Sequence, residues 1–353
     1  MEKRTLEPPS FSRDVYAADA MNALYQVLPI GDLKTLALYF PFPSQLHDAT
    51  KNSCDLVSSL LGDEGEGSIL CELRNRGLAT ELVTGLKSNL SFMSLFSATI
   101  KLTDSGLKNL SLVLSIFFSY LALLRDSDKL HLYFEETAQI KRTEFRFQSK
   151  RSSTDYVDEI ARRMQVVPMR FILNSYPYLD YDFVHISSLV DRLAPSNCIG
   201  VLSYRCSKGD DSSWMREPVY GIDYTKRDQP LSSFIQPADY PLHLPAPNPF
   251  LCTDFRMIDG CDAAQSPELI LNDDRWKIWH QPCTEFGLPK CSSMLMLNTG
   301  IIMESTESLL FCSILVRLLK RKIITQFYPA TLMGYSLDYS FQYDRGLIIK
   351  VNG

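Results

Sequence analysis

"LLGDEGEGSILCELRNRGLATELVTG", residues 60–85, is the stretch on which the fold turns. Glycines and acids open it. A short helical run, "GSILCELRNRG", follows, with Gly77 where a helix-terminating glycine belongs. "ATELVTG" then reads as a strand, and "SFMSLFSATIKL" after it as a second one. The glycines at 62, 65 and 67 fit neither G-x-G-x-x-G nor a P-loop, and no Lys-Ser or Lys-Thr follows them. Asp63, Glu64 and Glu66 would repel a phosphate in that turn. They suit the positive end of the helix that starts near Ser68.

Upstream, residues 48–61 read as a helix with Cys54, Val57, Ser58 and Leu61 on one face. Before it, "LYQVLPIGDLKTLALYFPFP" is strand-like, with Leu33, Thr35, Ala37 and Tyr39 on one side and Leu36 and Leu38 on the other. Pro41 and Pro43 are expected to stop it. Downstream, "TDSGLKNLSLVLSIFFSYLALLRD" predicts a long buried helix with Thr103 or Asp104 as its N-cap. Its uncharged part, residues 109–124, contains three serines and is shorter than the roughly 20 apolar residues of a membrane span.

Further helices are expected over 128–148, over 154–164 with Val157, Ile160, Ala161 and Met164 in a stripe, and over 181–193 on Phe183, Ile186, Leu189, Val190 and Leu193. "CIGVLSY" is a strand. This order predicts an α+β two-layer sandwich, with helices packed on one face of a mostly antiparallel sheet.

Residues 207–249 are rich in Ser, Asp, Pro and Asn and read as an extended connection. Beyond 250 come two strand-like runs, "RWKIWHQP" and "KCSSMLMLNTGII", a long helix from "TESLLFCSILVRLLK", and a hairpin, "YSLDYSFQYDRGLIIKVNG". These are too few elements to cover a sheet. The expected organisation is a leader over 1–20, a complete domain over 21–215, an extended linker over 216–249 and about half a domain over 250–353.

The 353 residues suit two domains, and 45% hydrophobic with 22% charged residues is ordinary for a globular protein. A net charge of −5 and the lack of a basic tract argue against a nucleic-acid partner, and no membrane partner is expected. "MEKRTLEPPSFSRD" has no apolar signal region. Nine cysteines without a C-x-x-C pair suggest reduced thiols and a cytoplasmic location.

The five histidines, at 47, 131, 185, 243 and 280, begin neither H-E-x-x-H nor H-x-x-E-H. His131 and Glu135 lack a third ligand, and His280 with Cys283 and Cys291 matches no common zinc spacing. No G-x-S-x-G elbow is found. No catalytic residue, metal ligand or cofactor is therefore assigned to this chain. What is left is a binding or structural module, or part of something larger.

"SLLGDEGEGSILCELRNRGLATEL", "TEFRFQSKRSSTDYVDEIARRM", "DRLAPSNCIGVLSY", "LHLPAPNPFLCTDF" and "DRGLIIKVNG", in this order, resemble the middle of the insulinase family of zinc metallopeptidases, the pitrilysin-type family of insulin-degrading enzyme and nardilysin. The resemblance covers about residues 15–353. It implies the pitrilysin/LuxS-like metallohydrolase fold in a four-domain protein whose halves close around a peptide chamber. The zinc motif would lie in the first domain and substrate-positioning residues in the fourth. This chain would be the second domain plus the start of the third, a non-catalytic segment. Zinc is thus implied for a full-length member, with peptide substrates and the first and fourth domains, in cis or in trans, as partners. A catalytically dead peptide-binding or scaffold relative is the alternative.

The resemblance also implies a substrate-anchoring exosite. Its matched positions are Asp63, Gly65 and Gly67 in the turn and Leu82, Val83, Thr84, Gly85 and Leu86 in the strand. The physical mode would be β-augmentation, an extended peptide adding itself to a strand edge, with the acids of the turn meeting its amino terminus. Two departures stand out: insulin-degrading enzyme has His at Asp63 and a Gly-Gly pair at Thr84-Gly85.

Overall fold

In the computed structural model of the chain, residues 16, 18–46, 48, 50–148, 150–174, 178–206, 214–236, 238–257, 266–282, 287–299, 305–342 and 346–353 are described. Strand β1 covers Ala23–Val27 and β2 covers Thr35–Phe42. Along β2, Leu36, Leu38, Phe40 and Phe42 are buried at every second position, the period of a sheet covered on one face. The strand does not break at Pro41. That residue stays in register opposite Leu95, and its other neighbour strand has already departed at Tyr39, so no ladder partner there needs the missing N–H.

Helices α1 (Ser53–Leu61) and α2 (Ile69–Asn75) lead into a hairpin of β3 (Ala79–Asn89) and β4 (Ser94–Leu102). Next come α3 (Asp104–Lys108), α4 (Leu110–Arg125), α5 (Leu130–Arg146), α6 (Ser153–Arg163) and α7 (Phe183–Arg192). The single long helix expected over 103–126 is thus two, because Asn109 leaves helical geometry. Thr103 is the N-cap: its hydroxyl accepts the Gly106 amide at 3.0 Å.

Strands β5 (Ile199–Ser203), β6 (Met215–Arg216) and β7 (Asp223–Lys226) complete a seven-stranded sheet in the order β3-β4-β2-β5-β1-β7-β6. Of its pairs, β1 with β5 is parallel and the others are antiparallel. The main core joins α1, α2, α4 and α7 to the sheet, with Phe40, Phe96, Phe117 and Tyr120 among its largest fully buried side chains. This is the two-layer α+β arrangement that the sequence implies.

The stretch expected as a linker is tied into this unit. β7 pairs with β1, and Tyr240, Leu242 and Leu244 pack on the core. Ser111 donates to the Phe234 carbonyl, Ser115 accepts the Gln236 amide at 2.8 Å, and Tyr133 donates to the Pro245 carbonyl at 2.9 Å. Of the expected leader, Ala18–Ala20 forms a 3-10 turn whose Asp19 carbonyl accepts from Lys226 at 2.7 Å; residues 1–15 lie outside the described residues.

The chain divides into two compact units: Met1–Arg142 with Lys150–Pro247 and Ile324–Tyr328, and Thr143–Ser149 with Asn248–Ile323 and Pro329–Gly353. In the second, β8 (Glu268–Asn272) pairs with β9 (Lys277–His280). A separate three-stranded sheet runs β10 (Ser292–Leu297), β12 (Gly346–Asn352), β11 (Ser336–Gln342). Helix α8 (Thr306–Leu332) is kinked at Phe327, two residues before Pro329, whose ring and missing N–H disturb the preceding turn.

Candidate functional site

The turn between α1 and α2 is built inward. Asp63 is 6% exposed, and its Oδ1 accepts the Gly65 amide at 2.7 Å, an Asx turn that closes the loop on itself. Glu64 is ion-paired with Arg74 at 2.6 Å, and Arg74 also reaches the Thr80 carbonyl. Of the three acids, Glu66 alone is exposed. The helix N-terminus is capped by Ser68, whose hydroxyl accepts the Cys71 amide at 3.2 Å. Gly67 has φ +78°, and the His243 ring lies 2.4 Å from where a Cβ would stand, so any other residue would be strained there and would have to displace the ring.

Burial pushes the Asp63 carboxyl up to about 6; Glu64 and Glu136 push the same way, while the Gly65 amide and His243 oppose them. Burial likewise raises the phenols of Tyr120 and Tyr328, with Asp63 adding to it.

Strand β3 is the end strand of its sheet. Val83 is 56% exposed and Leu86 37% exposed, whereas Leu82 is 5% exposed and faces the core opposite Ile100. Of the strand positions matched to an exosite, then, Leu82 is a packing residue, and a proline there would injure the core. The hairpin tip adds exposed Leu90 and Phe92. Thr84 makes a tie to α1: its hydroxyl donates to the Ser58 carbonyl at 2.8 Å, and Ser58 donates back to the Thr84 carbonyl at 2.9 Å. The β-branch at this position is thus turned to α1. Gly85, with φ +150°, stands over Ser58 in a conformation that side-chain-bearing residues rarely adopt.

Beside Gly85 and Leu86 opens a cavity of 370 Å³ that Ser58, Asp55, Asn89 and Arg163 also line. Asp55 accepts from Tyr178 at 2.6 Å, and Arg163 donates to the carbonyls of Phe171 and Asn174. The Ser58–Thr84 tie, the His243 cover and the cavity escape sequence reasoning because each joins residues far apart in the chain. The glycine two residues after Asp63 is the one local signal of its inward turn.

Among the described residues no three His, Cys, Asp or Glu side chains converge as a cation site. His131 contacts the Asp128 carbonyl, and His185 contacts Gln45. His47 and Cys283 lie outside the described residues.

Residues 145–353 match the family model described as the middle or third domain of peptidase M16, and residues 6–132 match that of the peptidase M16 inactive domain. "Insulin-degrading enzyme-like 1, peroxisomal" of Arabidopsis thaliana is 28% identical over 350 residues, which cover 98% of this chain and 36% of that protein. Nardilysin of Rattus norvegicus is 28% identical over 365 residues, covering 99% of this chain and 31% of that protein. The crystal structure of pitrilysin shares the fold with a TM-score of 0.77 at 22% identity, covering 98% of this chain and 37% of that one. The chain therefore spans about a third of the length of the curated relatives it matches.

Proposed function

The chain belongs to the peptidase M16 family, and we propose that it supplies the non-catalytic wall of a peptide chamber and anchors extended peptides along the outer edge of β3. The observation that carries this is an end strand with two exposed apolar side chains, Val83 and Leu86, beside a cavity deep enough for a side chain. A strand edge offers main-chain N–H and C=O groups to a peptide, with alternate side chains falling into flanking pockets. On β3 the Thr80 carbonyl is taken by Arg74 and the Thr84 carbonyl by Ser58, so on this proposal pairing is centred on Leu86. Glu66, the exposed acid of the turn, is the group available to an amino terminus.

Hydrolysis, on this proposal, belongs to a zinc-bearing first domain and a substrate-positioning fourth domain, joined in cis or in trans. The residues of this chain do not fit the zinc site: H-x-x-E-H is absent, and no three ligands converge among the described residues. The accompanying domain limits are a second-type domain over 21–215, a connection over 216–249 that packs along it, and a partial third domain over 250–353. A cytosolic location goes with the described cysteines, all of them free thiols.

The test is fluorescence anisotropy of a labelled extended peptide on the full chain. The Thr84 carbonyl points out to Ser58, so by the two-residue alternation of a strand the main chain of Leu86 also points out. Leu86→Pro removes an outward N–H and should abolish binding while leaving the circular dichroism spectrum unchanged. Unchanged affinity would discard the edge as the binding site. Metal analysis of the purified chain should find well under one zinc per chain; a stoichiometric zinc would overturn the assignment of the metal to other domains.

A further inference from the structure

The cavity beside Gly85 and Leu86 is lined by groups of two kinds. Val166 and Val167, from the turn after α6, and Leu46 are apolar. Asp48, from the loop before α1, and Asp55, from the first turn of α1, are carboxylates. Asp48 accepts the Ser53 amide at 3.1 Å and has the His185 ring 3.7 Å away. Asp55 has a neutral partner, the Tyr178 hydroxyl at 2.6 Å, and among the described residues no cation is ion-paired with it. Arg163 also lines the cavity, but its guanidinium is turned to the Phe171 and Asn174 carbonyls and to Glu159, 3.9 Å away. The cavity is thus left with negative charge in excess, centred on Asp55.

This lining discriminates between occupants. An apolar side chain would cover the carboxylates without replacing their hydration. An acidic one would be repelled by both. A lysine or arginine satisfies both kinds of lining, with its aliphatic stem along the valines and its cationic head at the Asp55 carboxylate, a charge-assisted contact. At 370 Å³ the space is ample for one such side chain.

The strand presents a peptide to this space. Ser58 of α1 donates to the Thr84 carbonyl, which places α1 on one face of β3. A peptide paired beside Leu86 sends every second side chain to that face. Gly85, on the cavity rim, puts no side chain in the way. We propose that the cavity is a specificity pocket that takes the lysine or arginine side chain of a peptide held at Leu86, with Asp55 as the acceptor of its charge. This rests on the reading of β3 as a peptide-binding edge.

The experiment uses the full chain and fluorescein-labelled peptides of alternating threonine and valine, with serine flanks, blocked ends and one variable central residue. Arginine and citrulline have the same shape and differ in charge. The arginine peptide should bind about tenfold more tightly than the citrulline peptide, and a glutamate peptide more weakly than either. Asp55→Asn keeps an acceptor for Tyr178 and removes the charge, so it should level arginine and citrulline. Tyr178→Phe removes the same hydrogen bond and keeps the carboxylate, so the preference should survive in it.

Equal affinity for the arginine and citrulline peptides in the wild type would overturn the pocket and leave the edge standing. So would a preference that persists undiminished in Asp55→Asn. No binding of any of the peptides would sink the reading of β3 as a peptide edge, and the pocket with it.

Discussion

At Gly67 two constraints meet in one residue, a left-handed φ of +78° and a histidine ring where a side chain would begin. Gly67→Ala should cost about 2 kcal/mol or more, read as a fall in the urea midpoint, since left-handed geometry alone costs an L-residue about 1–2 kcal/mol. Adding His243→Ala should return the part due to the clash and leave the part due to φ. Asp63 carries a pH signature of its own. Its folded value of about 6 lies above the ordinary 3.8, so the native state holds its proton more tightly than the unfolded chain does. Its favourable contribution is complete below about pH 4 and is lost as pH rises through 6. Asp63→Asn should therefore raise the melting temperature at pH 7.5, by a gain of at most about 2–3 kcal/mol, and have no such effect at pH 4. The sequence places three acids in the turn but not their directions. A carboxylate serving a helix dipole and one folded into its own loop are written with the same letters.

At the scale of elements, the α1–β3 contact depends on Ser58. Ser58→Ala should cost about 1 kcal/mol, the usual worth of such a hydrogen bond, and should speed amide exchange at Thr84–Leu86. The strands and helices that line the core were legible because their side chains alternate or repeat for one buried face, as in β2, β4, α4 and α7. Three features were not. The break at Asn109 hides inside an apolar run, because hydrophobicity sets burial and leaves helix continuity to the backbone. Strand β7 is four residues of mixed polarity whose partner lies about 200 positions away, so its pairing has no local mark. Helix α6 carries the expected stripe, yet none of its residues is buried, and Val157 is 64% exposed. Periodicity shows that a helix has an apolar face and is silent on what covers it. With no buried anchor, α6 should be among the first helices to exchange its amides.

For the molecule as a whole, the two units differ in how much apolar surface they retain. The first has a continuous core. In the second, every residue of β8, β9 and β10 is exposed, including Trp279 and the Met294–Leu297 run. An apolar dye such as bis-ANS, photocrosslinked to the full chain and mapped by proteolysis, should label residues 266–342 far more heavily than the core elements of the first unit. The composition of the Ser- and Pro-rich stretch between them does not tell whether it packs on a surface or crosses solvent, because a proline-rich chain doing either reads the same. Here β7 pairs with β1, and Tyr240, Leu242 and Leu244 pack on the core.

The place of β1 has a consequence in time. This strand, residues 23–27, lies between β5 at 199–203 and β7 at 223–226. At about 5–20 residues per second, a ribosome delivers the nearer partner roughly 10–35 s after β1 itself. The hairpin of β3 and β4, whose contacts are local, can form long before. The sheet is therefore assembled from its outer edge inward. The last step slots the earliest-made strand between two late ones, and until then Leu24 and Val27 are surface for a chaperone to hold.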